Sequence, residues 1–119
     1  MRVSDAEWKV LRVLWEHPES TSAEVTARVR KTSPWKPTTV TTLLARLVKK
    51  QAVGIRPELG GYRYFPLLSQ AACEAAERQS FLDKVYGGRV KPLLAALVSD
   101  ETLTPEEIAE LRRLLEERR

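Results

Sequence analysis

Residues 37–50 read P-T-T-V-T-T-L-L-A-R-L-V-K-K. The apolar positions Val40, Leu43, Leu44, Leu47 and Val48 recur at i, i+3, i+4, i+7 and i+8, which is one stripe of an α-helix. The opposite face carries Thr38, Thr39, Thr41, Thr42, Ala45, Arg46 and Lys49, and no carboxylate occurs between Lys36 and Arg56. Threonine offers a donor, an acceptor and a methyl for thymine, and arginine can grip guanine N7 and O6 together. This face suits a DNA major groove. The plainer reading is a surface helix with a solvated basic side. The β-branched run Thr38 to Thr42 has low helix propensity. That cost brings no evident structural return, which favours a reading role.

Upstream, Ser4-Asp5-Ala6-Glu7 is a capping box with Glu7 at N3. Trp8, Val10, Leu11, Leu14 and Trp15 follow at helical spacing until Pro18. The two tryptophans are expected in the core. Thr21-Ser22-Ala23-Glu24 repeats the capping signature and opens a short helix ending near Arg30-Lys31. Pro34 punctuates a turn, and Pro37 stands at the first helical position, where proline is well tolerated. The second and third helices form a helix-turn-helix. Downstream, Val53 to Arg56 reads as a strand, Leu59-Gly60-Gly61 as a hairpin turn and Tyr62 to Leu67 as the return strand. Pro57 marks the first strand as an edge. A helix-turn-helix followed by a hairpin is a winged helix. Its expected phosphate contacts are Arg56, Arg63 and the Gly60-Gly61 backbone, with Lys49 and Lys50 from the third helix. A hairpin that merely caps the core is the alternative.

The remaining chain is helical. Ser69 caps a helix that runs to Gly87-Gly88, a second follows, and Thr104-Pro105-Glu106-Glu107 opens a third. The fold class is therefore mainly α with a small β-hairpin, divided as 1–68 (winged helix) and 69–119 (helical). About fifty residues in short helices make a marginal core alone. Phe81, Val85, Tyr86, Val90, Leu93, Leu94, Leu97, Ile108, Leu111 and Leu115 are the expected contacts with a second copy. Packing within one chain is the alternative.

Composition narrows the function. Residues 1–66 hold 12 Lys and Arg against 6 Asp and Glu, whereas residues 67–119 hold 8 against 10. A basic front and a slightly acidic back suggest that the front meets a polyanion. One histidine (His17), one cysteine (Cys73) and no glycine-rich phosphate loop leave no enzyme site, metal site or cofactor to expect. Cys73 reads as a small packed helix residue, and His17 as a helix-terminal one. Nothing approaches the ~18 apolar residues of a membrane span. Asp5, Glu7 and Lys9 argue against a signal peptide. The expected location is the cytoplasm, without membrane insertion.

Three motifs, S-D-A-E-W-x-V-L-x-x-L-W at Ser4 to Trp15, P-x-T-V-x-T-L-L-x-R-L-x-K-K at Pro37 to Lys50 and K-V-Y-G-G at Lys84 to Gly88, resemble the penicillinase repressor (BlaI/MecI/CopY) family. The similarity runs over nearly the whole chain. It implies a homodimeric bacterial transcriptional repressor on inverted-repeat operator DNA, with Thr39, Thr42 and Arg46 at matching positions of the reading helix. Thr38 and Thr41 replace residues that are often basic in relatives, so the preferred half-site would differ. Copper-responsive members end in a cysteine cluster; this chain ends in Glu-Glu-Arg-Arg, and no metal sensor is expected. In antibiotic-responsive members a protease cuts an Asn-Phe bond in the dimerisation region. The aligned pair here is Ala96-Leu97, so an inactivating protease is a candidate partner but the same bond is not supported. The competing function is a winged-helix module that binds a protein and no specific DNA.

Overall fold

The computed structural model describes residues 2–118. Its elements are helices α1 (Asp5–Glu16), α2 (Ser22–Val29) and α3 (Pro37–Lys49), strands β1 (Val53–Glu58) and β2 (Gly61–Pro66), and helices α4 (Gln70–Tyr86), α5 (Val90–Ser99) and α6 (Pro105–Glu117). Packing divides the chain into two compact units, Met1–Glu74 and Ala75–Arg119. The sequence division at 68/69 marks where the hairpin ends. The packing division falls inside α4, whose first turn carries the buried Cys73.

In the first unit, local signals set the helix ends. Ser4 and Thr21 each accept the N3 backbone N–H, while Glu7 and Glu24 accept the cap backbone N–H in return. Both capping boxes are thus formed, and α1 ends at His17 before Pro18. Helix α3 ends without a glycine. Gln51 takes φ 64°, the Gln51 N–H donates to Val48 O, and the Ala52 N–H donates to Leu47 O. This is a Schellman closure in which a non-glycine residue bears the left-handed conformation.

The core joins all three helices to the hairpin base. Val10, Leu11, Leu14, Val25, Val29, Val40, Leu43, Leu44, Leu47, Ala52 and Val53 form one buried cluster. Each fully buried Leu or Val contributes ~1.5–3 kcal/mol relative to exposure, so the stripe read on α3 holds the domain together. Val48 is only half-buried at its edge. The tryptophans divide. Trp15 packs on the core and its indole N–H donates to Leu68 O at 2.9 Å. Trp8 lies outside the buried cluster, its ring edge-on to Trp15 at 5.5 Å. The expectation that both are core residues is corrected here: Trp8 is half-buried and meets Trp15 edge to face.

The hairpin is antiparallel, from Val53↔Pro66 to Glu58↔Gly61, around Leu59 and Gly60. Gly60 has φ 92°, a turn conformation that glycine adopts without strain. At the other end, a Cβ on Gly54 would approach the Phe65 ring to 2.5 Å, so any larger residue there would force that ring to move. Pro57 lies within β1 opposite Tyr62. Ser20 and Tyr64 exchange backbone hydrogen bonds of 3.1 and 2.8 Å, stitching β2 to the α1–α2 connection.

In the second unit no described residue is fully buried. Phe81, Val85, Val90 and Leu115 are exposed, and Tyr86, Leu93, Leu94, Leu97, Ile108 and Leu111 are half-buried. Val98 and Leu114, which the sequence reading did not include, are also exposed. Ala96 and Leu97 lie inside α5 and are half-buried. A protease would have to unwind that turn to bind the bond in extended form. No helix among the described residues is long and apolar enough to cross a membrane.

Candidate nucleic-acid interface

The polar face of α3 is open. Thr38, Thr39, Thr41, Thr42, Ala45, Arg46 and Lys49 are all exposed. Thr38, Thr39, Thr42, Leu43 and Arg46 line a shallow depression on this face. Arg46 and Lys49 occupy the last turn, where the helix dipole favours cations. Neither belongs to an ion pair found among the described residues.

The threonines are not equivalent. The Thr41 hydroxyl donates to Pro37 O at 2.9 Å, and the Thr42 hydroxyl donates to Thr38 O at 2.8 Å. Both protons are spent inside the helix, leaving an oxygen lone pair and a methyl to face outward. Thr38 and Thr39 have no such back-bond among the hydrogen bonds described.

The other expected phosphate ligands are engaged within the protein. Lys50, adjacent to the free Lys49, turns toward α1. Its ammonium lies 2.6 Å from Glu7 and donates to Arg2 O at 2.8 Å. Burial pushes the Glu7 carboxyl up, but hydrogen bonds from Lys50 and Ser4, with the lysine charge, hold it below the usual carboxylate range. Arg56 pairs with Glu19 at 3.0 Å. Arg63 donates to Glu58 at 2.7 Å, to Glu24 at 3.2 Å and to Glu19 O at 2.8 Å. The register explains the arrangement. Arg56 and Arg63 face each other directly across the hairpin, where like charges repel. Glu19, Glu24 and Glu58 offset that repulsion; Glu58 does so within the hairpin, while Glu19 and Glu24 fasten the wing to the α1–α2 connection and α2. The Thr21 backbone N–H and hydroxyl, and then the Arg63 charge, hold Glu24 low as well.

The wing tip is apolar rather than basic, with Leu59 fully exposed beside the exposed Tyr62. Sequence reasoning did not find the three carboxylate partners. Glu58 had a signal, because the register places it diagonal to Arg63. Glu19 and Glu24 had none.

The model of the penicillinase repressor family matches residues 3–117. The chain belongs to the penicillinase repressor family. That family comprises transcriptional repressors and not enzymes. The chain is 34% identical over 116 residues to the penicillinase repressor of Bacillus licheniformis, covering 98% of this chain and 91% of that one. It is 28% identical over 113 residues to the methicillin resistance regulatory protein MecI of Staphylococcus aureus (strain N315), covering 95% and 92%. Among solved structures it resembles the Bacillus licheniformis BlaI monomeric form in complex with the blaP half-operator. The TM-score is 0.53 at 37% identity, with 60% of this chain and 87% of that one covered. The winged-helix fold and the family expected from the sequence are both established.

Proposed function

We propose that this protein is a homodimeric transcriptional repressor that binds inverted-repeat operator DNA and blocks a promoter. The observation that carries the reading is the exposed, carboxylate-free face of α3 with Thr38, Thr39, Thr42 and Arg46 around one depression. The relative solved on its half-operator supports it. Thr39, Thr42 and Arg46 contact base edges, Lys49 meets phosphate, and two such helices enter successive major grooves one turn or a multiple apart. The α4–α6 unit joins the two copies. Its support is the exposed apolar side chains Phe81, Val85, Val90, Val98, Leu114 and Leu115, which lie in the compact unit from Ala75 onward, where no described residue is buried. A module that binds only proteins would need no such charge split between front and back.

The test is to incubate the purified protein with sheared DNA from its own genome at moderate salt and sequence what is retained. Enrichment of an inverted repeat upstream of a few genes is the expected result. Retention without a shared motif would leave only sequence-independent binding and contradict the operator reading.

A further inference from the structure

The connection between α2 and α3 spans residues 30–36. That is about twice the 3–4 residues usual for a helix-turn-helix. Helix α3 also begins without a side-chain cap, since Lys36 provides none. A long connection and an uncapped start would leave the first turn of α3, with Thr38 and Thr39, loosely placed. The chain supplies a substitute from α1. The Lys9 ammonium donates to the Ser33 hydroxyl at 2.8 Å and lies 5.3 Å from the centroid of the Trp35 ring. Ser33 is buried, its N–H donates to Val29 O at 3.0 Å, and its carbonyl accepts from the Trp35 N–H at 2.9 Å. Trp35 packs on the core. Lys9 therefore holds the residues on both sides of Pro34, immediately before Pro37 opens α3.

We infer that Lys9 is a positioning residue for base recognition: it fixes the α2–α3 connection, and so the placement of Thr38 and Thr39, without itself touching DNA. This rests on the reading of α3 as the recognition helix. Phosphate neutralisation and positioning leave different signatures. A lost phosphate contact weakens binding to every sequence and makes the salt slope shallower by ~0.9. A lost positioning contact weakens binding to the operator alone.

Three variants make the test: Lys9→Met, which keeps the stem and loses the ammonium, Ser33→Ala, and the two combined. Each is measured against the inverted repeat recovered from the genomic selection and against a scrambled duplex, over a range of salt. The amide spectrum of each DNA-free protein is recorded alongside. Lys9→Met is expected to weaken operator binding about 3- to 10-fold, with scrambled-duplex binding and the salt slope unchanged. Amide shifts should appear across Ser33 to Thr39. The double variant should lose no more than Lys9→Met alone, because Ser33→Ala removes only one of the two contacts that Lys9→Met removes. Equal loss on both duplexes with a shallower slope would make Lys9 a phosphate ligand and overturn the inference. Unshifted Ser33 to Thr39 amides would also overturn it. Wild-type protein that does not discriminate between the duplexes would refute the recognition-helix reading instead, and the amide shifts would still decide whether Lys9 orders the connection.

Discussion

The Lys50 ammonium sits 2.6 Å from the carboxylate of Glu7, a residue only 1% exposed, and so ties the end of α3 to the start of α1. Glu7 Oε1 takes the Lys50 contact and the Ser4 N–H, while Oε2 is buried without a hydrogen-bond partner among the described residues. Removing the lysine would strand a buried charge. Because Lys50 itself is about one-third exposed, water screens part of the loss. Lys50→Met should cost ~1–3 kcal/mol of stability in denaturant unfolding, and adding Glu7→Gln should restore part of it. A stable Lys50→Met protein with a shallower DNA salt slope would return Lys50 to the phosphate ligands.

The same pair predicts an acid sensitivity. The Glu7 carboxyl titrates lower in the folded protein than its ordinary 4.5. Its contribution is therefore complete above that value and is lost as pH falls through the folded-state pKa. Unfolding free energy should decline below about pH 4.5, and Glu7→Gln should flatten the decline. Identical pH profiles for the two proteins would assign the acid response to other groups.

On the wing, Arg63 donates to Glu58 at 2.7 Å, so the proposed phosphate role of Arg63 would set Glu58 in competition with DNA. Glu58→Gln should tighten binding to scrambled duplex and steepen the salt slope by up to ~0.9, while Glu24 and the Glu19 carbonyl keep Arg63 in place. Weaker binding at an unchanged slope would mean that the Glu58 contact orients the wing and tempers nothing.

The exposed positions Phe81 and Val85 of α4 give a clean dimerisation test, since neither is needed to fill a monomer core. Phe81→Asp with Val85→Asp should yield a folded monomer by sedimentation, with operator affinity reduced well over tenfold because one half-site's contacts are lost. A dimer that survives both substitutions would place the interface elsewhere.

What the sequence disclosed was local. Capping at Ser4, Thr21 and Thr104, the proline starts of α3 and α6, the α3 stripe and the hairpin turn all depend on neighbours a few residues apart, and the structure forms each of them. What it hid was long-range. Lys49 and Lys50 are adjacent and chemically identical, yet one faces solvent and the other finds Glu7 across the fold. Arg56 and Arg63 read as free cations because Glu19 and Glu24 approach them only through the Ser20–Tyr64 pairing. The contact of Lys9 with Ser33 spans 24 positions, and no local pattern in the sequence marks it. Periodicity assigns a face to a residue; it does not name the partner that face will meet.

Arg46 carries the central claim. The most direct measurement is the affinity of wild type and Arg46→Ala for the selected inverted repeat and for duplexes changed one base pair at a time. The account predicts a loss of ~1–3 kcal/mol on the repeat, with discrimination relaxed at one position of each half-site and retained at the others. An equal loss on every duplex, with the base preferences intact, would place Arg46 on the phosphate backbone and contradict α3 as the element that reads the operator through this residue.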